Sequence, residues 1–138
     1  MKRIFSITPP AGRDLTLLVV RIAITALMFT HGLPKLQMLL SGGGASFPGV
    51  LGLSPTFALG LAIFAEIVCS LFVLVGMGTR LAVIPLMITM LVAVILVHAN
   101  DPFRVQEPGV LYLLTYTMLL VAGSGKYSAD YYVMQRQS

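Results

Sequence analysis

The sequence predicts an all-α integral membrane protein, a four-helix bundle with both termini on the cytoplasmic side. Three observations carry that expectation. First, apolar runs cover residues 15–29, 56–76, 81–97 and 109–123. With their flanks, each approaches the roughly 17–25 residues that cross a hydrocarbon core. Second, 57% of the 138 residues are hydrophobic and only 10% charged, with a mean hydropathy of +0.93. A soluble domain carries about 25% charged residues. Third, Arg21, His31, Glu66 and His98 lie inside or at the ends of these runs. A charge in hydrocarbon is costly unless paired, so such residues are expected to face the bundle interior. A sheet is excluded, because an open edge is unsatisfied in lipid and the runs lack two-residue alternation.

The elements follow in order. Residues 1–13 form a short basic lead with Pro9, Pro10 and Gly12. It begins Met-Lys-Arg, as a signal peptide does. The apolar run starts only near Leu15, however, without an A-x-A cleavage site, so it reads as a retained first helix. That helix is expected over about 14–40, with Asp14 at its positive N-terminus and a kink or break at Pro34. Ser41-Gly42-Gly43-Gly44 ends it. Residues 41–55 read as an apolar interfacial loop that caps the bundle. The second helix, about 55–77, opens at Ser54-Pro55, an N-cap followed by proline at the first helical position. Gly76-Met77-Gly78 joins it tightly to the third, about 80–98, as an antiparallel hairpin. Asn100-Asp101-Pro102 closes that helix. The fourth is expected over about 109–123, after Pro108-Gly109, and a polar tail with Tyr127, Tyr131 and Tyr132 as interface anchors follows. The whole chain, 1–138, reads as one domain.

Charge sets the orientation. Lys2, Arg3, Arg13, Arg80, Lys126 and Arg136 fall on one side and only Lys35 and Arg104 on the other, so the first side is cytoplasmic. The net charge is +4 and the pI about 9.6. Because the basic residues flank apolar runs and form no patch, a nucleic-acid partner is excluded. Cys69 is the single cysteine, which excludes an internal disulfide, a CxxC pair and an all-cysteine metal site.

The interior residues fall into two layers. At about 1.5 Å per residue, Arg21 lies on the order of 10–12 Å from the cytoplasmic end and Glu66 about 15 Å from it. Opposite charges at one depth on antiparallel neighbours predict an ion pair between Arg21 and Glu66. Such a pair either fixes helix register or leaves Glu66 able to move protons. Ala58, Ala62, Ala65 and Cys69 make a small-residue stripe that lets helices approach closely, with Glu66 on the same face. Tyr112 and Tyr116 lie one turn apart on the fourth helix. Tyr116, at the depth of Glu66, is expected to hydrogen-bond either that carboxylate or a backbone carbonyl. His31 and His98 form the second layer at the opposite boundary, with Lys35 one turn beyond His31. Two histidines at one level are compatible with a haem or metal, with hydrogen bonds to a quinone carbonyl, or with a purely structural place at the interface. Without a carboxylate or cysteine at ligand spacing they are a weak metal signal, and no metal is expected.

Several pieces taken together resemble the DoxX family of small four-helix bacterial membrane proteins. They are His31-Gly32-Leu33-Pro34-Lys35-Leu36, Glu66, Gly76-Met77-Gly78-Thr79-Arg80, His98 followed by Phe103, and Gly125-Lys126-Tyr127-Ser128-Ala129-Asp130. The likeness spans about residues 14–130. It departs at Cys69 and Ser70, where the family often has glycine. The resemblance implies a multi-pass protein of the bacterial cytoplasmic membrane, a subunit of a quinone-linked or oxidative-stress redox system. On this reading His31, Lys35, Glu66, His98 and Tyr116 bind an apolar, quinone-like ligand inside the bundle. No cofactor is covalently bound and no metal is held. The partners are the lipid bilayer, a quinone or lipid ligand, and a partner oxidoreductase or second copy of the chain. Two alternatives stand beside it. One is a non-enzymatic anchor or assembly subunit for an oxidoreductase. The other is a carrier for a small solute or proton, which the absence of inverted repeats disfavours.

Overall fold

The computed structural model of the protein describes residues 10–137, and the secondary structure over that range is helical. Lys2, Arg3 and Pro9, which enter the charge count and the basic lead, lie outside the described residues. Helix α1 spans Pro10–Leu40. It runs through Pro34 without ending there and closes at Leu40, since membrane helices tolerate a proline whose freed carbonyl is satisfied by neighbours. A 3-10 turn, Gly43–Ser46, follows. Helix α2 spans Pro55–Val75. Its start is the one read from sequence: Ser54 accepts a hydrogen bond from the Phe57 amide, and Pro55 takes the first helical position. Its central turns, Phe64–Cys69, are π-helical.

Helix α3 spans Thr79–Val97 and also closes on π-helical turns, Ala93–Val97. Helix α4 spans Phe103–Ala122, starting well before the expected 109. Pro102 sits at its N-cap, and Pro108 lies inside the second turn, where it removes the amide that would bond the Arg104 carbonyl. The tail forms a fifth helix, α5, Ala129–Gln137. The first four helices are long and apolar enough to cross a membrane. They expose large apolar side chains such as Val19, Leu61, Leu81, Ile88, Leu114 and Val121. Such continuous apolar exposure suits a lipid-facing surface.

Helices α1 and α2 pack along most of their length, as do α3 and α4. Helices α2 and α3 pack from Gly76-Met77-Gly78 up through Phe64–Cys69 and part only beyond it, and α1 touches α4 only sparsely. The bundle is therefore two helix pairs joined at the hairpin end and splayed toward the loop end. The core of Met28, Val73, Val83, Leu86 and Leu119 fills the joined half.

The hairpin end is held by polar caps reaching between elements. Arg21 is fully buried. Its guanidinium donates to the carbonyls of Val73 and Leu74, the last of α2, and to Tyr127 O in the segment after α4. Val73 O also accepts from the Gly76 amide, while Leu74 O is one of the last carbonyls that a helix leaves without a donor of its own, so Arg21 serves as a C-cap from another element. Asp130 does the reverse for α3. It accepts from the amides of Gly78 (2.7 Å) and Thr79 (3.4 Å) and from the Ser124 hydroxyl. Asp14 accepts from the Lys126 amide.

Gly76 closes α2 in the left-handed region, φ +75°. A Cβ there would overlap Arg21 Nη1 and Ser128. Gly76→Ala therefore meets both a left-handed backbone penalty of about 1–2 kcal/mol and a collision with the buried cap. The expected outcome is a large fall in thermal midpoint in detergent, with little folded protein recovered.

Candidate functional site: a cleft at the loop end

A cavity of about 370 Å³ occupies the cleft where the two helix pairs separate. Its walls are mostly apolar, and its polar lining comes from His31, Lys35, Glu66, Thr89, His98, Gln106 and Tyr112. Residues 47–53 roof it, through Phe47, Val50 and Leu53 among others. The room arises from side-chain size. Ala58 and Ala62 on α2 line the cavity, with Ala93 on α3. The small-residue stripe thus has two roles. Its lower members, Ala65 and Cys69, are in the buried core, while its upper members leave space.

At the cavity wall stands an ion pair. Lys35 Nζ lies 2.5 Å from Glu66 Oε1. The Glu66 side chain is 0% exposed and that of Lys35 26%, so lysine covers the carboxylate and presents its remaining N–H groups outward. Among the described residues nothing hydrogen-bonds Glu66 Oε2. Helix α1 comes close enough for this pair because of Gly32. A Cβ at Gly32 would stand 2.9 Å from Ile67 Cγ1 and 3.1 Å from Glu66 Cβ. Cβ bonds tilt toward the helix N-terminus, so Lys35 reaches back along α1 to the level of Gly32, and so to Glu66.

The ion pair expected between Arg21 and Glu66 is absent. The contacts between α1 and α2 give the reason. Arg21 meets Val73 and Leu74, Thr25 donates to the Ser70 carbonyl, and Gly32 abuts Glu66. Arg21 is thus opposite the end of α2, and Glu66 is opposite a point on α1 roughly 16 Å farther along. The sequence estimate took Asp14 as level with the hairpin. The hairpin instead meets α1 at Arg21, and the turns of α1 before it lie against residues 125–126.

Tyr116 is also corrected. It is 1% exposed, off the cavity, and bonds neither Glu66 nor a carbonyl. Its hydroxyl and that of Ser70 are both buried without a hydrogen-bond partner. Tyr112, stacked on it at 6.1 Å, is the tyrosine that reaches the cavity. The rings of Tyr112 and His31 meet edge to face at 5.6 Å and bridge α4 to α1.

His98 lies at the rim, its Nδ1 2.6 Å from Asp101 Oδ2. Gln106, which sequence reasoning missed, donates to the carbonyls of His98 (2.7 Å) and Asp101 (3.1 Å) and so fixes the rim loop. Its signal was the helix end at Asn100-Asp101-Pro102, whose last carbonyls need a donor. Both histidines thus line one cavity. Among the described residues no three metal-ligating side chains cluster.

A family model for DoxX matches residues 16–99, more than half of the chain. The chain belongs to the DoxX family. The family is one of membrane proteins associated with redox systems, and its matched stretch holds the DoxX protein's His31, Lys35, Glu66 and His98. Tyr112, Tyr116 and the quoted residues 125–130 lie beyond it. No curated protein and no solved structure matches this DoxX chain.

Proposed function

We propose that this protein is a membrane subunit of a redox system in the bacterial cytoplasmic membrane, and that its cleft binds a quinone-like apolar ligand. The observation that carries the reading is the pair of Lys35 and Glu66 in the wall of an otherwise apolar cavity. Its charges cancel, so it favours a neutral polar head over an anion. Lysine still has N–H groups to give a carbonyl, and charge-assisted hydrogen bonds are the stronger kind. The volume of about 370 Å³ lies within the usual span of small-molecule sites. A quinone fits these groups: Lys35, with His31 and the Tyr112 hydroxyl nearby, would hold its carbonyls, and the aliphatic walls would exclude water. When bound, a quinone supplies two-electron, two-proton carrier chemistry. The chain's own residues bind and orient it and keep the site dry. An anchoring role alone needs no such cavity.

The test is a titration of a decyl-substituted benzoquinone into purified protein in lipid nanodiscs. Saturable binding is expected, weakened about tenfold by His31→Ala, a loss of about 1.4 kcal/mol. Binding that never saturates, or that ignores His31, would overturn the proposal.

A further inference from the structure

The cleft has four possible openings, and they differ in what lies outside them. On the side between α1 and α4, the ring of His31 rests on that of Tyr112. Over the loop end, residues 47–53 form the roof, and Gln106 ties down the rim at His98 and Asp101. At the hairpin end the core is packed. Between α2 and α3 nothing comparable closes the gap, because the first turns of α2, Pro55–Ile63, do not pack on α3. Leu61 and Ile88 line the cavity there and are also 47% and 55% exposed on the outer face of the bundle.

Depth decides what that outer face meets. Ile88 is nine residues from each end of α3, about 14 Å from either boundary. An opening at that level leads to acyl chains and not to water. A solute without apolar character has no route through it, whereas a chain-bearing lipophile has a continuous apolar path from the bilayer to the covered ion pair.

We infer that the cavity is loaded sideways from the bilayer through the gap between α2 and α3, and that its ligand carries a long apolar tail. The tail lies between Leu61 and Ile88 while the polar head rests at Lys35. This rests on the ligand reading above and adds the entry route and the place where the tail lies.

Two measurements test it. In nanodiscs, binding of the decyl-substituted benzoquinone is compared with that of its tail-less methyl counterpart. The variant is Leu61→Trp/Ile88→Trp, which fills the gap from two lipid-facing positions. Leu114→Trp, exposed but off the cavity, is the control. The expected result is a loss of about tenfold or more for the tailed quinone, little change for the tail-less one, and no effect of the control. Equal effects on both quinones, or none on either, would overturn the route. In the unsubstituted protein, a photoreactive diazirine at the tail end should label α2 around Leu61 and α3 around Ile88. Label on residues 47–53 or 98–106 would place the tail toward water and overturn the inference while leaving the ligand reading intact. If the unsubstituted protein binds neither quinone, the ligand reading fails and the route falls with it.

Discussion

Replacing Lys35 with alanine is expected to cost about 3 kcal/mol of folding stability, and adding Glu66→Gln to that variant should recover most of the loss. The lysine is the one cation within reach of Glu66 Oε1 among the described residues, and the carboxylate has no access to solvent. Removing one member of a buried pair strands the other's charge, which costs about 3–5 kcal/mol. Lys35 keeps some exposure, which places the effect at the lower end. Making residue 66 neutral removes the stranded charge, so the double variant should be nearer the parent than either prediction from separate losses. Unfolding in mixed micelles across the four proteins of the cycle gives the coupling directly. Simple additivity would mean the two side chains do not depend on each other.

Arg21→Met should be comparably damaging, with a loss of about 2–5 kcal/mol. It leaves the carbonyls of Leu74 and Tyr127 without their donor and that of Val73 with only the Gly76 amide, and each buried unsatisfied group costs about 1–3 kcal/mol. The damage belongs to the hairpin end. Combining Arg21→Met with Glu66→Gln should therefore give losses that add within about 0.5 kcal/mol, as distant sites do. The same unfolding measurement applies. Strong coupling between these two positions would restore the ion pair that the sequence suggested.

The contrast between these cycles shows what was legible in the sequence. The four spans were, because apolar runs of that length admit few other structures, and so was the inward face of α2 with Ala62, Ala65 and Glu66. The start of α2 was carried by the local chemistry of Ser54 and Pro55. The partner of Glu66 was not legible, because the offset between α1 and α2 is set far away, where residues 124–130 dock on the hairpin. Once that offset is known, Gly32 marks where α1 can approach and Lys35 follows. Tyr112 and Tyr116 could not be ranked, since they are one turn apart and only the depth of the cleft separates them. The π-helical turns in α2 and α3 have no mark in the sequence that we can name. The early start of α4 was hidden by Pro108-Gly109, which reads as a break, while the helix takes its N-cap at Pro102.

The most direct measurement is the affinity of the decyl-substituted benzoquinone for the double variant Lys35→Met/Glu66→Gln in nanodiscs. Both substitutions leave a neutral, well-filled wall, so the fold should hold while the charged hydrogen-bond donor is gone. Affinity about tenfold or more below the parent's, with the unfolding transition retained, is the predicted result. An unchanged affinity in that folded variant would contradict the assignment of the buried pair as the place where a ligand is held.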